Sequence, residues 1–145
     1  MIVVDSSVLI GFLRGQTSPA IELLENLELE NAPFGVPGVC YQEVLQGAKD
    51  QKEWKLLDNY LGSQDLLFAP DPWATHREAA RIFFDCRRKG LTIRSSVDCF
   101  IAQLVLERDD VLLHDDEDFE WIRKVRPLKT LPGMSLLTQP PAPPS

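Results

Sequence analysis

Short apolar runs alternate with longer amphipathic stretches along most of the chain. The first run, MIVV at residues 1–4, is rich in β-branched residues and predicts a buried strand. VLLH at residues 111–114 has the same character. Three further runs complete the predicted strands: APFGVP at 32–37, DLLFAPDP at 65–72 and LKTL at 128–131.

Seven segments between and after these runs have helical features. The clearest covers residues 93–110, where apolar residues recur at helical spacing and Ser95-x-x-Asp98 has the form of a capping box. Ser18 followed by Pro19 marks the start of another helix. The other predicted helices are SSVLIGFLRG at 6–15, GVCYQEVLQGAKD at 38–50, QKEWKLLDNYLG at 51–62, PWATHREAARIFFDCRRKG at 72–90 and EDFEWIRKV at 117–125.

Strands that alternate with helices predict an α/β domain with a short, mostly parallel central sheet. The length of 145 residues is that of one domain, which we assign to residues 1–131. Residues 132–145 end in the proline-rich sequence TQPPAPPS and are expected to form a disordered tail. Because ligands of parallel sheets bind beyond the carboxyl ends of the strands, chemistry is expected just after the apolar runs.

Composition narrows the classes of function. The formal charge of −7 argues against a broad basic surface for nucleic acid, but it leaves open an enzyme whose acids hold metal ions. No apolar run has the length of a membrane span, and no signal peptide is apparent. The three cysteines lack C-x-x-C spacing and are expected to be buried free thiols, so we expect a cytoplasmic protein.

The charges are unevenly distributed along the sequence. From Glu107 to Glu120 there are eight carboxylates and one base, whereas six bases accompany two acids between Arg77 and Arg94. An acidic pocket beside a basic stripe would suit the handling of phosphate groups. Two ordinary solvated helix faces explain the same pattern, so charge alone does not decide between them.

Four acids stand at positions where chemistry and ordinary structure are both plausible. Asp5 and Asp116 follow predicted strands, and each could cap the helix after it. Asp98 lies in the first turn of a helix, where it could complete the capping box and interact with the helix dipole. Glu43 could be an exposed helical glutamate with no special role.

Taken together, the four acids favour a metal site. If Asp5 and Asp116 lie on neighbouring strand ends, the helix that contains Asp98 can start at the same point. Four converging carboxylates with no matched Lys or Arg would be unstable without a cation. Carboxylate oxygens suit Mg²⁺ or Mn²⁺, and two such ions can activate a water and stabilise the leaving oxygen in phosphodiester cleavage.

The order and spacing of four motifs extend this interpretation. MIVVDSSVLI, EVLQG, SSVDCFIAQLVLE and VLLHDDEDF resemble the motifs of PIN-domain ribonucleases, and the closest resemblance is to the VapC toxins of bacterial type II toxin–antitoxin systems. The resemblance covers residues 1–131. It implies a PIN-like three-layer α/β/α fold and a Mg²⁺- or Mn²⁺-dependent endoribonuclease whose products carry 5′-phosphate and 3′-hydroxyl ends.

The resemblance also implies a role for each acid. The catalytic quartet of the family falls on Asp5, Glu43, Asp98 and Asp116. Asp5, Asp98 and Asp116 would be the principal metal ligands, while Glu43 would complete the cage or orient the attacking water. Asp118 matches a second acidic position before a phenylalanine and is expected to support metal binding.

Substrate contacts are expected from residues around these acids. Ser6 or Ser7 matches a small polar residue of the family that can hold a metal-bound water, and we favour Ser7. Arg94, on the loop that leads to the site, is the first candidate for a phosphate clamp, with Arg14 and residues 87–89 as weaker candidates.

His114 departs from the family pattern, because the strand before the last acid of the quartet usually ends in Thr or Ser. The imidazole could replace the hydroxyl at the site, contact RNA, or simply fill space. A partly buried histidine at a strand end is as good an explanation of this residue as a functional one.

Two other hypotheses remain open at this stage. A PIN-like binding protein without catalysis could retain the same acids, and an aspartyl-phosphate enzyme could use Asp5 as its nucleophile, although Ser7 stands where haloacid dehalogenases carry a second Asp. The family resemblance further implies a small antitoxin partner, an RNA substrate and a homodimer. The helices at 18–30 and 38–50 offer apolar surface for such a partner. The sequence does not identify the RNA target.

Overall fold

The computed structural model describes residues 1–132, which contain five strands and seven helices in the predicted order. The strands are β1 (Ile2–Val4), β2 (Gly35–Pro37), β3 (Asp65–Leu67), β4 (Val111–Leu113) and β5 (Lys129–Leu131). The helices are α1 (Ser6–Leu13), α2 (Pro19–Leu29), α3 (Gly38–Leu45), α4 (Gln51–Gly62), α5 (Pro72–Arg88), α6 (Ser96–Arg108) and α7 (Glu117–Ile122).

The five strands form one sheet in the order β3-β2-β1-β4-β5, and every pairing among them is parallel. The chain therefore builds outward from β1 in one direction through β2 and β3, and then in the other through β4 and β5. This reversal places a switch point between β1 and β4, which is where parallel sheets bind ligands.

Helices cover the sheet in two groups. Helix α1 packs against α2 and α3, and α3 packs against α4, while α5, α6 and α7 pack together as a second group. The predicted three-layer α/β/α arrangement is thus confirmed. The core lies between the layers, where Val4 of β1, Leu113 of β4 and Ile101 of α6 are fully buried.

The predicted helix starts at Ser18 and Ser95 are both present, but the predicted capping contact is found only at Ser18. The Ser18 hydroxyl accepts the Ile21 N–H at 3.0 Å, as expected of an N-cap. Ser95 is the N-cap residue of α6, but its side chain makes no capping hydrogen bond. The expected capping box with Asp98 is therefore wrong, because the Ser95 N–H donates instead to Asp118 Oδ2 at 3.1 Å.

Cys40, Cys86 and Cys99 are buried free thiols, as the sequence predicted. No helix within residues 1–132 is both long and apolar enough to cross a membrane. The proposed proline-rich tail, apart from its first residue, lies outside the described part of the chain.

Candidate metal centre

The carboxyl ends of β1 and β4 lie side by side at the centre of the sheet. Val4 is in register with Leu113, and the Asp5 N–H donates to the Leu113 carbonyl at 3.0 Å. Asp5 caps α1 by accepting the N–H of the second residue after it, and Asp116 caps α7 in the same way. The sequence predicted both caps, and both keep the carboxylates at this edge of the sheet.

Three carboxylates form a compact group at this edge. One oxygen from each of Asp98, Asp116 and Asp118 lies within 4.8 Å of the other two. Asp98 and Asp118 are 7% and 1% exposed, and Asp116 is partly buried. Asp118, expected only to support the site, therefore belongs to the tightest acidic cluster, whereas Asp5 lies just outside it.

The Asp98 carboxylate is the least compensated of the group. Its Oδ2 atom is buried and has no hydrogen-bond partner among residues 1–132. Burial, reinforced by the charges of Asp5 and Asp116, raises the pKa of Asp98 to about 9. An unsatisfied buried oxygen costs about 1–3 kcal/mol, and a bound cation would remove that cost. This donor set fits a hard divalent metal ion.

The Asp5 carboxylate, 3% exposed, acts electrostatically on Asp98 and is held by three donors. Its Oδ2 accepts the Ser7 N–H at 3.0 Å and the Ser7 hydroxyl at 2.6 Å, while its Oδ1 faces the Cys40 thiol at 3.7 Å. Burial raises the pKa of Asp5 in spite of these hydrogen bonds. The Cys40 contact was not predicted, since only the packing of α3 against α1 brings that thiol to Asp5.

Arg94 places a positive charge next to the acidic group. Its Nη2 atom lies 3.1 Å from Asp116 Oδ1, its Nε atom lies 3.4 Å from Asp118 Oδ1, and its backbone N–H donates to Asp118 Oδ2 at 2.9 Å. The expectation that the quartet has no matched Lys or Arg was therefore wrong for Asp116, and Arg94 also pairs with Asp118. Because the Arg94 side chain is 67% exposed, each ion pair contributes about 0–1 kcal/mol, and the Oδ2 atom of Asp98 still has no hydrogen-bond partner among residues 1–132.

The serines after Asp5 have different partners. The Ser6 hydroxyl donates to Glu43 Oε1 at 2.9 Å, which ties the partly buried Glu43 of α3 to the start of α1. The Ser7 hydroxyl donates to Asp5 and accepts the Asp115 N–H at 3.0 Å. Ser7 thus holds the loops after β1 and β4 together, and Glu43 stands beside the acidic group rather than within it.

His114 lies at the end of β4 and is 6% exposed. Its Nδ1 atom accepts the Asp116 N–H at 3.1 Å, and its Nε2 atom lies 2.8 Å from Glu120 Oε2. The hydrogen bond from His114, followed by that from Arg123, lowers the pKa of Glu120 to about 2 against the opposing effect of burial. The sequence offered no reason to assign Glu120 a role, because its contact with His114 forms only when α7 folds back towards β4.

Arg14 lies apart from the acidic group, at the exposed end of α1. Together with Glu43 it lines a groove of about 470 Å³ between α1, α3 and α4, whose apolar walls include Leu13, Val44 and Leu56. Of the residues that the sequence nominated, the structure gathers Asp5, Asp98, Asp116, Asp118 and Arg94 at one edge. It leaves Arg14 one helix away.

A family model described as the PIN domain matches residues 2–125 of the chain. Among curated proteins, the chain is similar to "Ribonuclease VapC11" of Mycobacterium tuberculosis. The two sequences are 31% identical over 130 residues, which cover 89% of this chain and 96% of that protein.

Solved structures with the same fold include the VapBC-1 structure from nontypeable Haemophilus influenzae, with a TM-score of 0.67, 19% sequence identity, and coverage of 90% of this chain and 96% of that one. VapBC2 from Rickettsia felis, bound to a promoter DNA fragment, matches with a TM-score of 0.68 at 16% identity, covering 90% and 97% of the two chains. Sequence, fold and the acidic edge of the sheet agree, and the chain belongs to the PIN-domain family.

Proposed function

We propose that this protein is a Mg²⁺- or Mn²⁺-dependent endoribonuclease and the toxin of a toxin–antitoxin pair. The observation that carries the proposal is the buried, unpartnered Oδ2 atom of Asp98 within a group of three carboxylates. The relatives named VapC ribonucleases support RNA as the substrate. Residues 1–131 form the nuclease domain in this proposal, and residues 132–145 form a tail outside it.

Asp98, Asp116 and Asp118 would hold the metal ion, and Asp5 would add a further negative charge to the site. A bound divalent ion lowers the pKa of water and offsets charge on the phosphate that is attacked. Ser7 orients Asp5, and Ser6 fixes Glu43 where its carboxylate can accept a proton from an attacking water.

In this proposal, RNA binds to basic residues next to the acidic group. The exposed Arg94 side chain can leave Asp116 for a phosphate, because its present ion pairs are weak. A cleft of about 340 Å³ nearby is lined by Arg88, Lys89, Lys124 and Arg126. Asp85, the one acid that lines it among residues 1–132, is already paired with Arg81 and Arg126, so the cleft keeps an excess of positive charge for the RNA backbone.

A partner protein would occupy the apolar groove between α1, α3 and α4. Leu56 on its wall is 62% exposed, and Glu43 connects the groove to the acidic edge. The solved VapBC structures support a VapB-like antitoxin as this partner. A homodimer is a separate expectation, and its candidate surface is the apolar groove lined in part by the exposed Phe68, which follows β3. Three buried free thiols suit the reducing cytoplasm, where we place the protein.

The proposal is tested by incubating purified, antitoxin-free protein with total cellular RNA in Mg²⁺, in Mn²⁺ and in EDTA. We expect cleavage with metal, none in EDTA, and fragments whose mapped ends identify the target and carry 5′-phosphates. Asp98→Asn is the test variant. Asp110→Asn is the matched control, because Asp110 is equally buried (8% exposed) but lies at the opposite edge of the sheet.

Two results would count against the proposal in different ways. If folded wild-type protein binds Mn²⁺ and RNA but cuts nothing, the chain is a PIN-like binding protein. If cleavage persists in EDTA or in Asp98→Asn, the acidic group is not the active site. A parallel reaction with single-stranded DNA of the same sequence determines whether the 2′-hydroxyl is required.

A further inference from the structure

His114 makes a local hydrogen bond that acts on the backbone of a metal-site residue. Its Nδ1 atom accepts the N–H of Asp116, two residues later, at 3.1 Å. Side chains that accept the N–H of the residue two positions on stabilise a turn, as Asn and Asp do in Asx-turns. The backbone of His114 is itself fixed, because its N–H donates to the Leu131 carbonyl of β5 at 3.1 Å.

The other side of the ring is fixed as well. Since Nδ1 is an acceptor, the ring proton is on Nε2, which donates to Glu120 Oε2 at 2.8 Å. Glu120 is held in turn by the Thr130 hydroxyl at 3.1 Å and by Arg123 Nη1 at 2.8 Å. The Phe119 ring packs against the imidazole with centroids 4.9 Å apart. The ring therefore has one orientation, set from β5 and α7.

These contacts separate the three roles that the sequence left open for His114. Both ring nitrogens are engaged within the chain and the side chain is 6% exposed, so it is poorly placed to contact RNA. It is more than a space filler, because it holds the Asp116 N–H. We propose that His114 is a positioning residue that, braced by Glu120, directs the Asp116 carboxylate towards the metal site.

The position of the Asp116 backbone matters because the Asp116 carboxylate has two roles. Its Oδ1 atom caps α7 by accepting the Asp118 N–H at 3.0 Å, and the carboxylate belongs to the group that would hold the metal. Rotation of the peptide before Asp116 would move this carboxylate away from Asp98. By accepting the Asp116 N–H, the His114 ring opposes that rotation.

A pair of substitutions separates the two hydrogen bonds of the ring. His114→Asn retains an oxygen near the position of Nδ1 and can accept the Asp116 N–H, but it does not reach Glu120. His114→Gln places an amide near the position of Nε2 and can reach Glu120, but it offers Asp116 no acceptor. Both variants lose the packing on Phe119, so they are matched for that loss.

The first readout is hydrogen exchange of the Asp116 amide in metal-free protein, measured by NMR. We expect protection in wild type and His114→Asn, and at least about tenfold faster exchange in His114→Gln. The second readout is Mn²⁺ affinity by calorimetry, which rests on the proposed function. We expect His114→Asn to bind within about threefold of wild type and His114→Gln to bind about 10–100-fold more weakly.

The outcomes keep the two proposals apart. Equal exchange and equal Mn²⁺ affinity in the two variants would overturn the positioning role, whether both values change or neither does. If wild type binds no Mn²⁺, the metal-dependent function fails, and the exchange of the Asp116 amide still decides the role of His114. Far-ultraviolet circular dichroism shows that each variant is folded, and a variant that is unfolded is replaced by Glu120→Gln, which weakens the brace without altering the ring.

Discussion

Buried aspartates lie at both edges of the parallel sheet, and their surroundings are opposite. At the amino edge, Asp110 is 8% exposed and its two oxygens accept from the amine of Met1 and from Arg108 Nε, each at 2.8 Å. At the carboxyl edge, Asp98 is 7% exposed and its Oδ2 atom has no partner within residues 1–132. The two side chains differ in their neighbours and hardly at all in their burial.

The pKa of each carboxyl follows from this difference. Burial by itself would raise both, but at Asp110 the hydrogen bonds from the terminal amine and Arg108 outweigh burial and lower the pKa. At Asp98 the neighbouring charges of Asp5 and Asp116 add to burial, and the pKa rises to about 9. The missing counter-charge, rather than burial, therefore distinguishes Asp98 from Asp110 as a candidate cation ligand.

The largest expected difference between the edges is in RNA cleavage. Asp98→Asn removes a metal ligand whose contribution to the transition state is several kcal/mol, so we expect a loss of about 10³-fold in the cleavage rate. Asp110→Asn leaves the carboxyl edge unchanged and should keep the rate within about threefold of wild type. Initial rates on one mapped RNA substrate in Mg²⁺ check both values. Similar losses in the two variants would remove the distinction between the edges.

Stabilisation by metal should also separate the edges. At a Mn²⁺ concentration of 100 times the dissociation constant, binding to the folded state alone adds about 2.7 kcal/mol to the free energy of unfolding. We expect this gain in wild type and Asp110→Asn, and little of it in Asp98→Asn. Urea unfolding with and without Mn²⁺ measures the gain. An equal gain in Asp98→Asn would place the bound ion elsewhere.

In metal-free protein, the same two substitutions should change stability in opposite directions. At neutral pH the Asp98 carboxyl, whose pKa is raised to about 9, must take up a proton on folding. Asp98→Asn removes that cost, so we expect the free energy of unfolding to rise by about 1–2 kcal/mol. Asp110→Asn leaves the Met1 amine and Arg108 without their shared acceptor, and we expect a fall of about 1 kcal/mol. Urea unfolding in EDTA at neutral pH compares them. Destabilisation by Asp98→Asn would show that its carboxylate is already compensated in the apo protein.

The parts of this architecture that could be predicted from the sequence depend on local pattern. The β-branched run before Asp5 and the apolar run before Asp116 define strand ends, and these place acids at the carboxyl edge once the sheet is parallel. The sequence could not show that the strands before Asp5 and Asp116 are adjacent; the metal site was predicted only on the assumption that they are. The order β3-β2-β1-β4-β5 satisfies it through pairings between distant segments.

The parts that could not be predicted depend on competition between partners. Ser95 was expected to form a capping box with Asp98, but the Asp118 carboxylate accepts the Ser95 N–H instead, and Asp98 Oδ2 has no partner within residues 1–132. Arg94 was expected to bind phosphate, and in this structure it pairs with Asp116. Which of these partners pair depends on the three-dimensional packing, because several donors and acceptors of similar strength compete within a few ångströms.

The smallest expected effect is the pH dependence that belongs to the amino edge alone. Because the pKa of Asp110 is lowered in the folded protein, its stabilising contribution is fully present above the unfolded value near 3.8 and is lost as the pH falls through the folded value. The difference in unfolding free energy between wild type and Asp110→Asn should therefore be constant from about pH 5 to 7 and should shrink below about pH 4. Urea unfolding of both proteins across this range measures it, and using the difference cancels the titration of all other carboxyls. If the difference instead grew as the pH fell, the pKa of Asp110 would be raised like that of Asp98, and the contrast between the two edges would be lost.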